Sequence, residues 1–462
     1  MERIYFDKQI FSHLFKGNMD NYQLLLNQII ENKSNFLFCY SHAHLLDLKN
    51  DKTEIKFDEL RFIETIVNDN YLSYNPLEKR TSCYLAKPLD AFEDENVENE
   101  IFSLSNLLEE IDFSSIDSEL SEQLKNGINI LKNQKMDFGT INLNSSNSEQ
   151  KEFNEKFFPL GLEPMTFIEW SDFLMKSIEK LENDKKAYKG MRNLLNKSID
   201  NEAYKLINTE IDYPQLNKSF LDLIKNNLNP NNDKTISDYD FYVNAYFTLD
   251  CLGLSKDSNA QFKNITNDGI HSYYGAFCDI VVSEDQGFLK KTKALYNLLG
   301  IQSKIYHIND FIENFPTIIL ERKNNFPTFI DNLISDLKQR KIIEKKSRIN
   351  DVNKLQIKPE NIYLSYFNTI EIDENNDLTM LRETRNYSDF NFFREYQGIT
   401  NNAITVFGLD SDSKGEFLWD IETLEIKNKT WLGRFWDFPQ SQIELKINDE
   451  LNKICLQIKI KK

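Results

Sequence analysis

Three short apolar runs constrain this chain more than any other feature. Residues 3–7 (RIYFD), 35–41 (NFLFCYS) and 279–283 (DIVVS) are nearly continuous stretches of hydrophobic side chains that stop at Asp or Ser. A strand with one wet face alternates apolar and polar residues. A strand that is apolar at every position is covered on both faces, which is the habit of a parallel sheet. The segments after the first two runs change to a helical period. Residues 9–15 place Ile10, Phe11, Leu14 and Phe15 on one side, and residues 22–30 do the same with Leu25, Leu26, Ile29 and Ile30. Residues 42–48 begin another helix with Ser41 as its N-cap, and 57–67 is again amphipathic. Strand, helix, helix, strand, helix predicts an α/β unit with right-handed crossovers.

Beyond residue 84 the pattern changes. Residues 93–122 carry eleven acids and no Lys or Arg, which reads as a solvated helical face or an excursion. Residues 141–150 read as a loop, and 226–234, with NPNND inside it, as a break. Helical periods at 167–181 and 188–199 lie between them. The expected organisation is therefore a split domain, 1–84 and 236–322, interrupted by a helical insertion over 85–235. The second half contributes helices at 239–252, 268–278 and 288–299, strands at 279–283 and 303–307, and a helix at 310–314. Gly300 is the C-cap of the 288–299 helix. An amphipathic helix over 325–349 makes 323–358 a connector. Residues 359–462 read as a β-rich domain with strands at 403–407, 416–424, 442–447 and 452–460.

The 462 residues carry 55 Lys plus Arg against 73 Asp plus Glu, a net charge of −18. That balance argues against a general nucleic-acid coat and leaves room for an enzyme that meets nucleic acid through metal ions and local basic patches. No apolar run approaches the roughly 18 residues that span a bilayer, and residues 1–11 lack an apolar leader core. The five cysteines form no CxxC pair. The expectation is a cytoplasmic protein with reduced thiols and no membrane partner.

The chemistry concentrates in four acids. Asp7 ends the first run, Asp47 lies in the helix after the second, Asp268 starts the helix before the third, and Asp285 follows the third. If the strands are parallel neighbours, these carboxylates meet at one sheet edge, where they repel unless cations neutralise them. Carboxylate oxygens suit Mg²⁺ or Mn²⁺, and such a site activates water against a phosphodiester. The competing reading is N-capping by Asp268 and Asp285, with Asp47 in solvent. Of five histidines, His44 lies three residues before Asp47 and His271 three after Asp268, each sharing a helix face with its acid. Their functional reading is proton transfer or phosphate binding. Lys290, Lys291 and Lys293, and Lys186, Lys189 and Arg192 around Tyr188, are the basic clusters fitted to a nucleic-acid backbone or, equally, solvated helix faces. Trp419, Trp431 and Trp436 offer base stacking or core packing.

Taken together, these segments resemble the PIN and PIN-like nuclease domains. Residues 4–7 (IYFD) are similar to the first-strand aspartate motif, and 41–48 (SHAHLLDL) to the helix carrying an acid followed by Leu. Residues 268–276 (DGIHSYYGA) are similar to the aspartate-led helix. Residues 279–285 (DIVVSED) resemble the strand closing in Thr-x-Asp, with Ser283 in place of Thr, and 306–311 (YHINDF) the last strand and its following element. The resemblance covers roughly residues 1–80 and 236–320. It implies an α/β fold with a small parallel sheet flanked by helices, Mg²⁺ or Mn²⁺ held by Asp7, Asp47, Asp268 and Asp285, and endoribonuclease activity. Many such domains are toxins or phage-defence effectors restrained by a regulatory protein partner. Single-stranded DNA is the other substrate to weigh, and a phosphatase would use the same metal chemistry. A degenerate PIN-like scaffold or sensor is the non-enzymatic alternative.

Overall fold

The structure, a computed structural model, describes residues 1–17, 19–95, 118–136, 164–173, 237–251, 262–322, 325–339, 355–383, 390–448 and 453–461. It also describes short pieces at 176, 188–189, 212–213, 218–221, 224–225, 342–343 and 387. The chain divides into two compact units: Met1–Ala91 with His271–Lys462, and Phe92–Ile270.

The first unit begins with β1 (Glu2–Phe6), α1 (Lys8–Lys16), α2 (Asp20–Glu31), β2 (Phe36–Ser41), α3 (His42–Asn50), α4 (Ile55–Val67), β3 (Asn70–Asn75) and β4 (Arg80–Leu85). Helix α5 (Phe262–Gly275) leads into β5 (Ile280–Ser283), α6 (Gln286–Leu299), β6 (Lys304–His307) and α7 (Ile308–Arg322). The six strands form one sheet in the order β6-β5-β1-β2-β3-β4. All neighbours are parallel except the β3–β4 hairpin at one edge. Every residue of β1, β2 and β5 is buried, which is why each reads as a continuous apolar run. The 70–85 hairpin has no counterpart in the sequence reading.

Strand β1 is nevertheless charged at its start. Glu2 accepts from Arg322 Nη2 at 2.9 Å, and Arg3 makes a two-pronged bond to Glu395 at 2.7 and 2.8 Å. The Arg3 guanidinium also stacks 3.6 Å from the Phe392 ring centre. Asp279, just before β5, accepts the Arg3 backbone N–H at 2.7 Å and a bond from Arg382. These buried pairs fasten the central strand to residues of the C-terminal third.

That third follows α8 (Phe326–Gln339) and holds β7 (Ile342–Ile343), β8 (Leu355–Ile357), β9 (Thr369–Ile372), β10 (Leu378–Leu381), α9 (Phe393–Phe407), α10 (Trp419–Lys427), β11 (Arg434–Asp437), β12 (Ser441–Asn448) and β13 (Lys453–Ile460). The strands form an antiparallel sheet in the order β7-β8-β9-β10-β13-β12-β11. Ile370, Met380, Leu445 and Leu456 share a core with Ile399 and Ala403 of α9. Trp431 and Trp436 are buried there, donating to Glu422 at 2.7 Å and to the Gly408 carbonyl at 2.9 Å. Trp419 is covered by the Arg394 guanidinium, 3.6 Å from its ring centre.

Three expectations are corrected here. Residues 403–407 (AITVF) are the last turn of α9, not a strand. A run of five apolar residues fits either structure, and the buried set Tyr396, Ile399, Ala403, Val406 reveals the helical period only over a wider window. Residues 419–424 of the expected 416–424 strand likewise lie in α10. The connector helix ends at Gln339 instead of 349, because Ile342 and Ile343 pair antiparallel with Ile357 and Gln356.

The second unit contains the helices Ser118–Asn133 and Asp238–Cys251 and most of α5. It also has two short antiparallel pairs, 135–136 with 165–166 and 212–213 with 218–219, that the helical reading did not foresee. Tyr188 is buried and donates to Asp250 at 2.6 Å. The expected loop at 141–150, the break at 226–234, and residues 96–117 and 190–199 of the other expected segments lie outside the described residues. No helix among the described residues is long and apolar enough to cross a membrane.

Candidate functional site

Strand order fixes where a ligand meets the first sheet. The chain moves from β1 to β2 on one side, while β5 and then β6 extend the sheet on the other. The crevice at such a reversal lies beyond the carboxyl ends of β1 and β5. Asp7 follows β1 directly, and Ser283 is the last residue of β5. The Asp7 backbone N–H donates to Val282 O at 2.9 Å, and the Ser283 hydroxyl donates to Asp7 Oδ2 at 2.7 Å. Asp7 occupies the N-cap position of α1 but makes no side-chain capping bond of the usual kind.

Asp47 comes from α3 and is 32 % exposed at its side chain. Its Oδ2 lies 3.0 Å from His271 Nε2, and His271 is only 2 % exposed. His271 sits in the last turns of α5, near the close approach at Gly275. A Cβ at Gly275 would stand 2.8 Å from Val281 Cγ2, so the helix end lies directly on β5. Tyr5, in the middle of β1, places its hydroxyl 2.7 Å from His271 Nδ1 and 2.7 Å from Ser41 Oγ.

Electrostatics ties these groups into one site. Burial pushes the Asp7 carboxyl above its usual range, and the Asp47 charge adds to that. His271 and the Ser283 hydroxyl act in the opposite direction. Tyr5 is fully buried, which pushes its phenol well up and keeps it protonated.

Not every expected residue joins this group. His44 is 0 % exposed, and both its ring nitrogens are committed. Nδ1 takes the Ser41 backbone N–H at 3.0 Å, and Nε2 lies 2.8 Å from the Phe6 carbonyl. Burial, and secondarily His271, hold His44 well below the ordinary histidine range, so it stays neutral and acts as a strut between β1 and α3. Asp285 is exposed and caps α6, accepting from Phe288 N–H at 2.8 Å; it is linked toward Asp7 by its own N–H, which donates to Ser283 Oγ at 3.1 Å. Asp268 is not the first residue of its helix, because α5 begins at Phe262. It lies one turn before His271 on α5 and belongs to the second unit. Lys290 and Lys293 are exposed on α6, whereas Lys291 is 2 % exposed and turned into the protein. Lys189 is exposed, and Lys186 and Arg192 lie outside the described residues.

Sequence reasoning passed over Tyr5. Its signal was a hydroxyl in the middle of a strand otherwise set for apolar contact. Among the described residues no three His, Cys, Asp or Glu side chains are grouped to hold an ion. What the edge does offer is a pair of carboxylates, Asp7 and Asp47, each with one oxygen hydrogen-bonded, to the Ser283 hydroxyl and to His271 Nε2. Comparison with known protein families, curated proteins and solved structures finds no match to the chain.

Proposed function

We propose that the chain is a metal-dependent nuclease of PIN-like type, acting on RNA. The observation that supports this reading is the placement of Asp7 and Asp47 as interacting carboxylates at the reversal point of a parallel sheet, with Asp7 half-buried. A half-buried carboxylate, partly stripped of water and with a second acid acting on it, is an unfavourable arrangement without a cation. Mg²⁺ fits the donor set: it prefers hard oxygens, keeps several waters and is commonly held by one or two carboxylates plus substrate phosphates. The two carboxylates would hold such an ion. Bound there, it would supply activation of water and neutralisation of the charge developing on the phosphodiester.

The chain's own residues do the positioning. The Ser283 O–H fixes the rotation of Asp7, and His271 Nε2 fixes that of Asp47. Lys290 and Lys293, on the helix that starts three residues after Ser283, offer cations to the neighbouring phosphates. Asp285 and Asp268 are the further acids proposed from the sequence pattern.

A non-cleaving scaffold is the second reading. Its supporting observation is that only two carboxylates, and no third ligating group, are brought together among the described residues. Incubation of the full chain with single-stranded RNA and single-stranded DNA, in Mn²⁺, Mg²⁺ or EDTA, separates the two. Metal-dependent RNA cleavage that Asp7→Asn abolishes is expected of the nuclease. Absence of cleavage together with absence of any Mn²⁺-induced thermal shift supports the scaffold.

A further inference from the structure

Tyr5 is 0 % exposed, two residues before Asp7. Its hydroxyl lies 2.7 Å from His271 Nδ1, 2.7 Å from Ser41 Oγ and 3.5 Å from His44 Nδ1. The proton positions follow from the two ends of this chain of groups. At one end, the Phe6 carbonyl only accepts, so His44 carries its proton on Nε2, and its Nδ1 is the acceptor for the Ser41 N–H. At the other end, Asp47 Oδ2 lies 3.0 Å from His271 Nε2, a contact made by an Nε2–H donating to a carboxylate oxygen. In the neutral ring Nδ1 is then an acceptor, and the Tyr5 hydroxyl 2.7 Å away is placed to donate to it. The Ser41 hydroxyl has two acceptors within reach, the Tyr5 oxygen at 2.7 Å and His44 Nδ1 at 3.3 Å, and either leaves the Tyr5 proton for His271.

We propose that Tyr5 is a positioning residue of the site: its O–H holds His271 in the Nε2–H tautomer and, through it, fixes the Asp47 carboxylate beside Asp7. The inference rests on the reading of Asp7 and Asp47 as the reactive carboxylates and adds to it a residue that does not touch substrate. Aromatic bulk alone does not meet the need. Phe6, the next residue, packs its ring against Phe11, Phe38 and Phe311, whereas Tyr5 sets its ring edge-on to His44 and His271. Outer partners of a metal-binding carboxylate or histidine are typically worth about 10–100-fold in affinity or activity. Tyr5, acting through His271, belongs in that class.

The test is nitrogen NMR of the full chain labelled at histidine, with His271→Gln to identify the resonances. The wild type is expected to show His271 protonated at Nε2 and bare but hydrogen-bonded at Nδ1. Tyr5→Phe should move the Nδ1 resonance to that of an unbonded nitrogen and leave His44 in its Nε2–H form. In the cleavage assay Tyr5→Phe should lower kcat by about 10–100-fold with KM unchanged. A proton on Nδ1 of His271 in the wild type overturns the proposal, as does a Tyr5→Phe variant whose Nδ1 resonance and kcat match the wild type. If the chain neither cleaves nor binds Mn²⁺, the nuclease reading fails, and the wild-type nitrogen spectrum still decides the tautomer by itself. The same spectrum decides it if Tyr5→Phe does not fold.

Discussion

Replacing Glu395 by Gln tests how the central strand is anchored. Glu395 is 0 % exposed, accepts from Arg3 at 2.7 and 2.8 Å and from Arg382 at 3.3 Å, and takes the Phe392 N–H at 2.9 Å. Burial by itself would raise its carboxyl. The Arg3 charge and hydrogen bond, followed by Arg382, reverse this and hold it from 4.5 down to about 2. A depressed carboxyl stabilises the fold above its unfolded value, and that stability is lost as pH falls toward the folded value. At about 1.36 kcal/mol per pH unit, the full contribution is about 3 kcal/mol. The Gln variant loses this at pH 7 and leaves the buried Arg3 guanidinium and the partly buried Arg382 guanidinium facing a neutral partner. Breaking a buried pair by removing one member costs about 3–5 kcal/mol. Urea unfolding of wild type and variant from pH 7 to pH 3 is the assay. The gap should be about 3–5 kcal/mol at pH 7 and should close by about 2 kcal/mol by pH 3, as the wild type begins to lose its advantage. A gap that stays constant with pH would refute the reasoning.

Other substitutions probe the site directly. Asp7→Asn should raise metal-free stability at pH 7–8 and have little effect at pH 3, read by thermal melting. The reason is that burial raises the Asp7 carboxyl, so its stabilising contribution is present below the unfolded value and lost as pH rises through the folded one. Ser283→Ala removes a 2.7 Å bond that favours the charged form of Asp7. The acidic limb of the cleavage pH profile should therefore shift to higher pH, and an unshifted limb would mean that Asp7 does not set it. Gly275→Ala drives a methyl to 2.8 Å from Val281 and 2.9 Å from Tyr296 Oη, and should cost about 1–3 kcal/mol in urea unfolding. Gly433→Ala is expected to be worse, since Gly433 has φ +76° and a Cβ there would clash with the Leu445 carbonyl oxygen. Soluble expression and circular dichroism would register that loss.

How much of this was legible in the sequence depended on whether the cause was local. Strands β1, β2 and β5 could be read because burial on both faces leaves an unbroken apolar run. Asp7 was visible as the acid that ends such a run, and Gly300 as a helix C-cap, where it takes φ +69°. The anchoring of Glu2 and Arg3 was not legible, since their partners, Arg322 and Glu395, lie 320 and 392 residues away. Nothing near residues 2–3 marks them as buried. Helix α9 was misread because Ile404, Thr405 and Val406 favour strands, and its fit against the second sheet overrides that preference. At the site, the sequence pattern pointed to acids and histidines, and the structure brings Asp47 and His271 into contact. The hydrogen-bond partners of the individual residues were not legible in it. Asp285 spends an oxygen on a cap and His44 spends both nitrogens on backbone, and these differences depend on distances that spacing does not encode.

The central claim is that Asp7 and Asp47 hold one divalent cation between them. Calorimetric titration of Mn²⁺ into the wild-type chain, Asp7→Asn and Asp47→Asn addresses it without requiring a substrate. One binding event is expected in the wild type, lost or strongly weakened in each variant while both remain folded. Absence of binding in the wild type, or equal binding by all three proteins, would contradict it.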